Sequence, residues 1–272
     1  MPFSTHESAP RQVVAGITGH HVMFAWIREY AMRYPWNREP RLRRPAAVDL
    51  SGWIPGRVID QGLVPLCTAA VTTTLAQYWA ARAGITFIPS VLFNYRLSRR
   101  LSGRPDRHGS MLEHSFEAWR RYGLVPEDRW PFQAERVDVD PPIELLESAH
   151  SRDVVYGRLD GPHLAPPAYL DQLRTCLAWG IPLSVEFPLG PSVMSSFTSG
   201  VVAVPPPGEH NVGRHVVVVL GYDDRLAALR LRNDWGTGWG ESGYGWLPYE
   251  MLLRSIARHT WLILESPWEP VN

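Results

Sequence analysis

An α+β fold of two lobes is the architecture this 272-residue sequence predicts, and three observations carry it. Apolar residues recur at helical spacing in three successive segments between Cys67 and Gly123, each segment closed near a glycine. Strict alternation begins at Ile181, Leu183, Val185 and Phe187, and β-rich runs follow as far as Leu264. With 45% hydrophobic residues, the chain is long enough to bury a full core as one large domain or two lobes.

Residues 1–45 read as an N-terminal extension. Its Val22–Met32 segment places Met23, Trp26, Ile27 and Tyr30 at helical spacing, and an arginine- and proline-rich link runs from Arg38 to Pro45. That apolar helix face must pack on something, either across the functional site or on a lobe surface away from it. Residues 46–165 are expected to form the helical lobe. From Cys67, the residues Val71, Leu75, Tyr78 and Trp79 trace one helix face, and Gly84 ends it with a left-handed cap. Pro89 to Leu101 is a second helix, entered by its proline and closed near Gly103. Ser110 three residues ahead of Glu113 predicts a capping box for a third helix, which buries Met111 or Leu112, Phe116, Trp119 and Tyr122 and ends at Gly123. The weakly periodic stretch Asp138–Pro167 holds the lobe boundary.

Residues 166–272 are the β-rich lobe. It starts with one helix, marked by Leu170, Leu173 and Leu177 and ending at Gly180. Strands are expected at Ile181–Phe187, Val201–Val204, His215–Tyr222, Ala227–Asn233, Tyr244–Leu247 and Trp261–Leu264.

Composition removes several classes of function. Twenty-seven cationic and 27 anionic side chains give a formal net charge of zero, which argues against nucleic acid as an obligate partner. All 27 cations are arginine, so Schiff-base chemistry, pyridoxal phosphate and a Walker lysine are excluded. No apolar run approaches a bilayer span and the N-terminus lacks a signal pattern, so the expectation is a cytoplasmic protein without a membrane partner. Oligomeric state is left open. Cys67 and Cys176 are the two cysteines, too few for a disulfide framework, and Cys176 sits in an apolar helix as a small buried side chain. His20, His21 and His210 have no partner at metal-ligand spacing, so neither metal nor cofactor is expected. Gly238–Gly243 matches G-x-G-x-x-G, but Tyr244–Pro248 follows it in place of a helix, so it is not read as a dinucleotide site.

The chemistry centres on Asn233–Gly245, which packs five glycines and three large rings around one asparagine. Read as a hairpin with the strand before it, a constant index sum of 448 centres the turn on residue 224 and sets His215 opposite Asn233. A histidine oriented by an amide is half of a catalytic constellation. The other half is a nucleophile, and Cys67 opens its helix six residues after Gln61.

The run Gln61–Cys67, the segment from Gly109-Ser110 through Tyr122–Glu127 to Trp130–Phe132, the His215 strand and the Asn233-Asp-Trp-Gly-Thr-Gly-Trp-Gly block together resemble the papain-like cysteine peptidases. They cover about residues 46 to 265, in the family's order of Cys, His and Asn. The closest resemblance is to bacterial members without disulfides. His215 follows Cys67 by 148 residues, and Asn233 follows it by 166, which a modest insertion explains.

The resemblance implies a cleft between an α-helical lobe and a β-barrel-like lobe. It makes Cys67 the nucleophile, His215 the general acid and base, Asn233 the residue that orients the imidazole, and Gln61 an oxyanion-hole donor beside the Cys67 N–H. The helix start predicts a thiolate-imidazolium pair between Cys67 and His215. Trp235 is expected to shield the His–Asn bond and Gly109-Ser110 to bind substrate backbone, while Trp239 is read either as mostly core or, by the resemblance, as part of the wall on the leaving-group side. Three departures stand out. Leu66 before the nucleophile is expected to crowd the cleft, Val64 stands where a disulfide cysteine often lies, and Arg214 sets a positive charge beside His215 that would lower its pKa. The implied function is hydrolysis of peptides or proteins through a thioester. The alternatives are an acyl transferase that makes an amide or ester from the same thioester, and an idle binding protein on the same fold.

Overall fold

A computed structural model describes residues 27, 29, 44–149, 153–161 and 164–268. The segment Val22–Met32 therefore lies outside the described residues except for Ile27 and Glu29, both helical, and Ile27 is fully buried in the larger core.

Four helices follow the opening strand β1 (Ala47–Asp49): α1 (Cys67–Arg82), α2 (Val91–Leu101), α3 (Leu112–Tyr122) and α4 (Ile143–Ser148). Then come β2 (Val155–Arg158), α5 (Pro166–Ala178), β3 (Leu183–Leu189), α6 (Pro191–Met194), β4 (Gly213–Asp223), β5 (Ala228–Arg232), β6 (Tyr244–Pro248), α7 (Tyr249–Leu253) and β7 (Trp261–Glu265). In β4, eight consecutive residues from His215 to Tyr222 are buried, so this strand runs through the sheet as its spine. It pairs antiparallel with β3 along His215 and the valines, with β1 at its far end, and with β5, which in turn pairs β6. β2 and β7 form a separate two-stranded ladder.

Helix α1 is buried on nearly every side because it lies between two cores. Val71, Leu75 and Trp79 face the larger core shared with the sheet, while Leu66, Ala69 and Ala70 face the smaller one with Leu92 and Phe93. The expected single apolar stripe is thus only half of what this helix buries. Tyr78 ties it to the end of α5 by donating its hydroxyl to Gly180 O at 2.6 Å, a buried bond worth about 1 kcal/mol. Cys67, the first residue of this helix, packs against the larger core.

Glycine helix ends fall where expected, with Gly84, Gly123 and Gly180 at φ of 73°, 81° and 76°. Ser90 caps α2 by accepting the Phe93 N–H at 3.0 Å. Ser110 does not cap α3: Met111 occupies the N-cap position, with no side-chain cap, and the helix begins at Leu112. Val201–Val204 is reduced to one bridge, Val201 with Trp246. The proline-rich stretch hides β2, whose partner β7 lies a hundred residues further on and leaves no local signature.

The hairpin register is corrected by two residues. Val218 pairs Arg232 and Val219 pairs Leu231, a bulge intervenes before Gly221 pairs Arg230, and Ala227 N–H closes the turn on Asp224 O at 3.3 Å. The loop is longer than a tight turn, and Ala227 takes the left-handed φ of 48° that this loop demands. A shift of two preserves the face, because side chains alternate with period two. Asn233 therefore still reaches the side of β4 that carries His215, from the residue after β5 ends.

Candidate active site

His215 sits in a stack of rings. Phe187, its partner across β3, meets it edge-on with centroids 5.7 Å apart, and Trp235 lies nearly parallel to it at 4.7 Å and 25°. Its Nε2 is 2.8 Å from Asn233 Oδ1. That same oxygen accepts the Asp234 backbone N–H at 3.0 Å, which settles which end of the amide faces the ring. Nε2 is therefore the protonated nitrogen, donating to Oδ1, and Nδ1 is left free to exchange a proton.

Cys67, partly buried at the first residue of α1, has its thiol near the backbone N–H groups of Val216 and Thr68. Val216 directly follows His215 on β4. The Cys67 N–H is among the first four of the helix, none of which has an intrahelical acceptor. Gln61 is placed from the other side. Its N–H donates to Asp234 O at 2.9 Å, Asp60 bridges Trp235, and Gly236 N–H donates to Ile59 O at 3.0 Å, so residues 59–61 are laced onto residues 234–236. Gly236 makes that approach possible: its φ is 73°, and a Cβ there would lie 2.8 Å from Asp60 Oδ2. The Gln61 side-chain amide, half-buried with Oε1 lacking any partner, is not committed to the fold.

Burial drives both partners toward their neutral forms. The Cys67 thiol is pushed up to about 12 by burial, then by the Asp234 carboxyl, with the Val216 and Thr68 N–H groups opposing. Burial brings His215 down to about 4, and its bond to Asn233 acts the other way. Burial thus opposes the expected thiolate-imidazolium pair, while the Val216 and Thr68 N–H groups and the bond to Asn233 favour it. Among the described residues, no cluster of three His, Cys, Asp or Glu side chains could hold a metal ion.

Residues 102–254, more than half of the chain, match the family described as papain family cysteine protease. This chain belongs to that family. The matched stretch includes His215 and Asn233 and begins after Cys67. An uncharacterised peptidase C1-like protein of Acanthamoeba polyphaga mimivirus is 30% identical over 219 residues, 76% of this chain and 69% of that protein. A cysteine proteinase of Theileria parva is 29% identical over 141 residues, half of this chain and 28% of the relative's length. Among solved structures, xylellain, a cysteine protease from Xylella fastidiosa, superposes with a TM-score of 0.72 at 27% identity, covering 85% of this chain and 88% of that one. Digestive procathepsin L 3 of Tenebrio molitor shares the fold at a TM-score of 0.64 and 20% identity, over 90% of this chain and 79% of its own. The chain is accordingly a papain-like cysteine peptidase with a mixed helix and half-barrel sheet architecture.

Within this papain-family peptidase, four expectations change. Trp239 is fully buried, with its ring edge-on to Trp235 at 6.0 Å, and a Cβ on Gly245 would come within 2.4 Å of it. It supports Trp235 from behind and does not line the cleft. Leu66 is fully buried in the smaller core, because the residue before α1 turns inward, so it does not crowd the nucleophile. Arg214 pairs its guanidinium with Glu186, so its charge is neutralised and the low pKa of His215 comes from burial. Ser110 donates its hydroxyl to Met111 O at 3.4 Å, and no described contact ties it to Cys67 or His215.

Gly109 is brought near the site by a residue the sequence reading missed. Its N–H donates to the Tyr95 hydroxyl at 2.9 Å, and that buried hydroxyl lies within electrostatic range of the Cys67 thiol. At φ 84°, with open space where a Cβ would stand, Gly109 presents bare backbone. The second missed residue is Asp234. It is buried, both carboxyl oxygens lack a hydrogen-bond partner, and Oδ1 is 3.5 Å from His215 Nε2. A charged residue directly after Asn233 was the available signal.

Replacing Asn233 by alanine removes the acceptor shared by His215 and Asp234 and strands two buried donors. The expected result is a fall in kcat of about 10- to 100-fold with little change in KM, since the lost bond orients the base and does not touch substrate. Steady-state kinetics on a fluorogenic peptide separates the two parameters; an unchanged kcat refutes this orienting role.

Proposed function

We propose that this peptidase hydrolyses peptide bonds through a Cys67 thioester, with His215 as general acid and base. The observation that supports it is the 2.8 Å bond from His215 Nε2 to Asn233 Oδ1, which leaves Nδ1 unprotonated and free to take a proton from Cys67. In this reading Nδ1 takes the Sγ proton as sulfur attacks the scissile carbonyl. The developing oxyanion is met by the Cys67 N–H and the Gln61 side-chain amide. The leaving amine departs with the proton from Nδ1, and His215 then deprotonates the water that opens the thioester, freeing the carboxylic acid product and restoring the thiol. Trp235 covers the His–Asn bond, and Gly109 offers backbone to an extended substrate. Peptides or proteins are the substrate class.

The test is covalent capture. Intact-mass analysis with an epoxysuccinyl inhibitor should show one adduct, mapped to Cys67. Alkylation by iodoacetamide at pH 7 should be far faster at Cys67, which is partly exposed at a helix start, than at Cys176, which is fully buried, and unfolding should equalise the two rates. Equal rates in the folded protein, or a Cys67 that no inhibitor labels, would sink the proposal.

A further inference from the structure

We propose that Asp234 is a positioning residue for His215: a buried counter-ion that meets the imidazolium on its Nε2 side when Cys67 gives up its proton. This rests on the catalytic reading above and deepens it.

The geometry is unusual for a carboxyl. Oδ1 stands 3.5 Å from Nε2, side chains on both sides are almost wholly buried, and neither carboxyl oxygen has a hydrogen-bond donor. An unsatisfied buried carboxyl is costly, so a fold that keeps one needs a state in which it is satisfied. That state is the protonated ring. While His215 is neutral its one N–H goes to Asn233, so Asp234 receives nothing. Once Nδ1 gains a proton, the ring carries a full positive charge within ion-pair distance of Oδ1. An interaction absent at rest and present in the charge-separated state is one that lowers the barrier.

The groups facing Asp234 point the same way. From residues 59–61, Asp60 brings a like charge that discourages ionisation. From α1 comes the Cys67 thiol, and Glu186 of β3 acts on that thiol from further away. From β5, Arg232 lines the small cavity behind Asp234 together with Thr74 and Asn233, but its guanidinium donates to Arg57 O at 2.7 Å and lies over the Tyr244 ring. Within this set the His215 ring is the cation that forms at ion-pair distance. Burial, with Asp60 adding to it, pushes the Asp234 carboxyl up to about 8, as burial drives the lone imidazole down. Each ionisation therefore favours the other, with the carboxyl proton lost to solvent before the ring takes the Cys67 proton.

The sign of the effect follows. A carboxylate raises the pKa of every acid beside it, so removing it lowers both limbs of the pH–rate profile, the alkaline limb most because Asp234 is fully ionised there. Asp234→Asn is isosteric and removes a buried carboxyl, so folding is not at issue. Its kcat/KM profile should shift to lower pH, with the alkaline limb down by about one pH unit or more. A profile that superimposes on that of the unsubstituted chain overturns the proposal. Independently, with Cys67 capped as a methyl disulfide, the His215 ring should titrate by NMR at higher pH in the unsubstituted chain than in Asp234→Asn. Equal titration of the ring in the two also overturns the proposal, because burial alone then governs the imidazole. If the unsubstituted chain cleaves no peptide and takes no inhibitor, it is the catalytic reading that has failed.

Discussion

Cys67→Ala is expected to lower kcat/KM for peptide hydrolysis by a factor on the order of 10^5, to near the uncatalysed background, with the fold intact. Nothing else described near His215 can take over the attack. Thr68 is buried behind the helix start, and Tyr95 has its hydroxyl engaged with Gly109 N–H at 2.9 Å and its ionisation pushed upward, first by burial. The structural cost is small because Cys67 is only partly buried and alanine is a good helix former. Cys176→Ala is the matched control. It truncates a fully buried side chain between α5 and the sheet, so it should lower thermal stability and leave kcat alone. The measurement is initial rate on a fluorogenic peptide beside a thermal melt for each variant. Retained activity in Cys67→Ala would refute the assignment of the nucleophile.

Gln61→Ala should reduce kcat by about 100- to 1000-fold with KM little changed, the loss usual for one oxyanion donor. Its amide makes no described hydrogen bond, so truncation should not weaken the fold, whereas the backbone that positions it is held by Asp234 O, Trp235 and Ile59 through bonds alanine keeps. The signature is therefore kinetic and not thermal. Gln61→Glu, which offers acceptors where donors are needed, should be at least as damaging. A kcat within a few-fold of the starting enzyme for both variants would mean the oxyanion is held elsewhere.

Much of the fold was legible because its signals are local. Glycine stops at Gly84, Gly123 and Gly180 need a left-handed backbone wherever the rest of the chain goes, and the alternation from Leu183 to Phe187 reports a buried sheet face by itself. β2 was not legible, since a four-residue strand among prolines earns its place only from β7. The Ser110 capping box failed for a related reason: the residue pattern was right, but the chain enters α3 one residue later, with Met111 at the cap.

The sequence by itself determined the order of Cys67, His215 and Asn233, their setting at a helix start and on a hairpin, and through these the family. Residue identity and linear spacing are enough for that. The tertiary structure alone decided the two-residue register shift, the burial of Trp239 and Leu66, the neutralisation of Arg214 by Glu186, and the approach of Asp234 to His215. Each depends on how much protein surrounds a group and which charge faces it. Those are sums over residues far apart in the chain, here residues 57–67, 186–187 and 215–235, and they exist only once the strands and helices have closed around them.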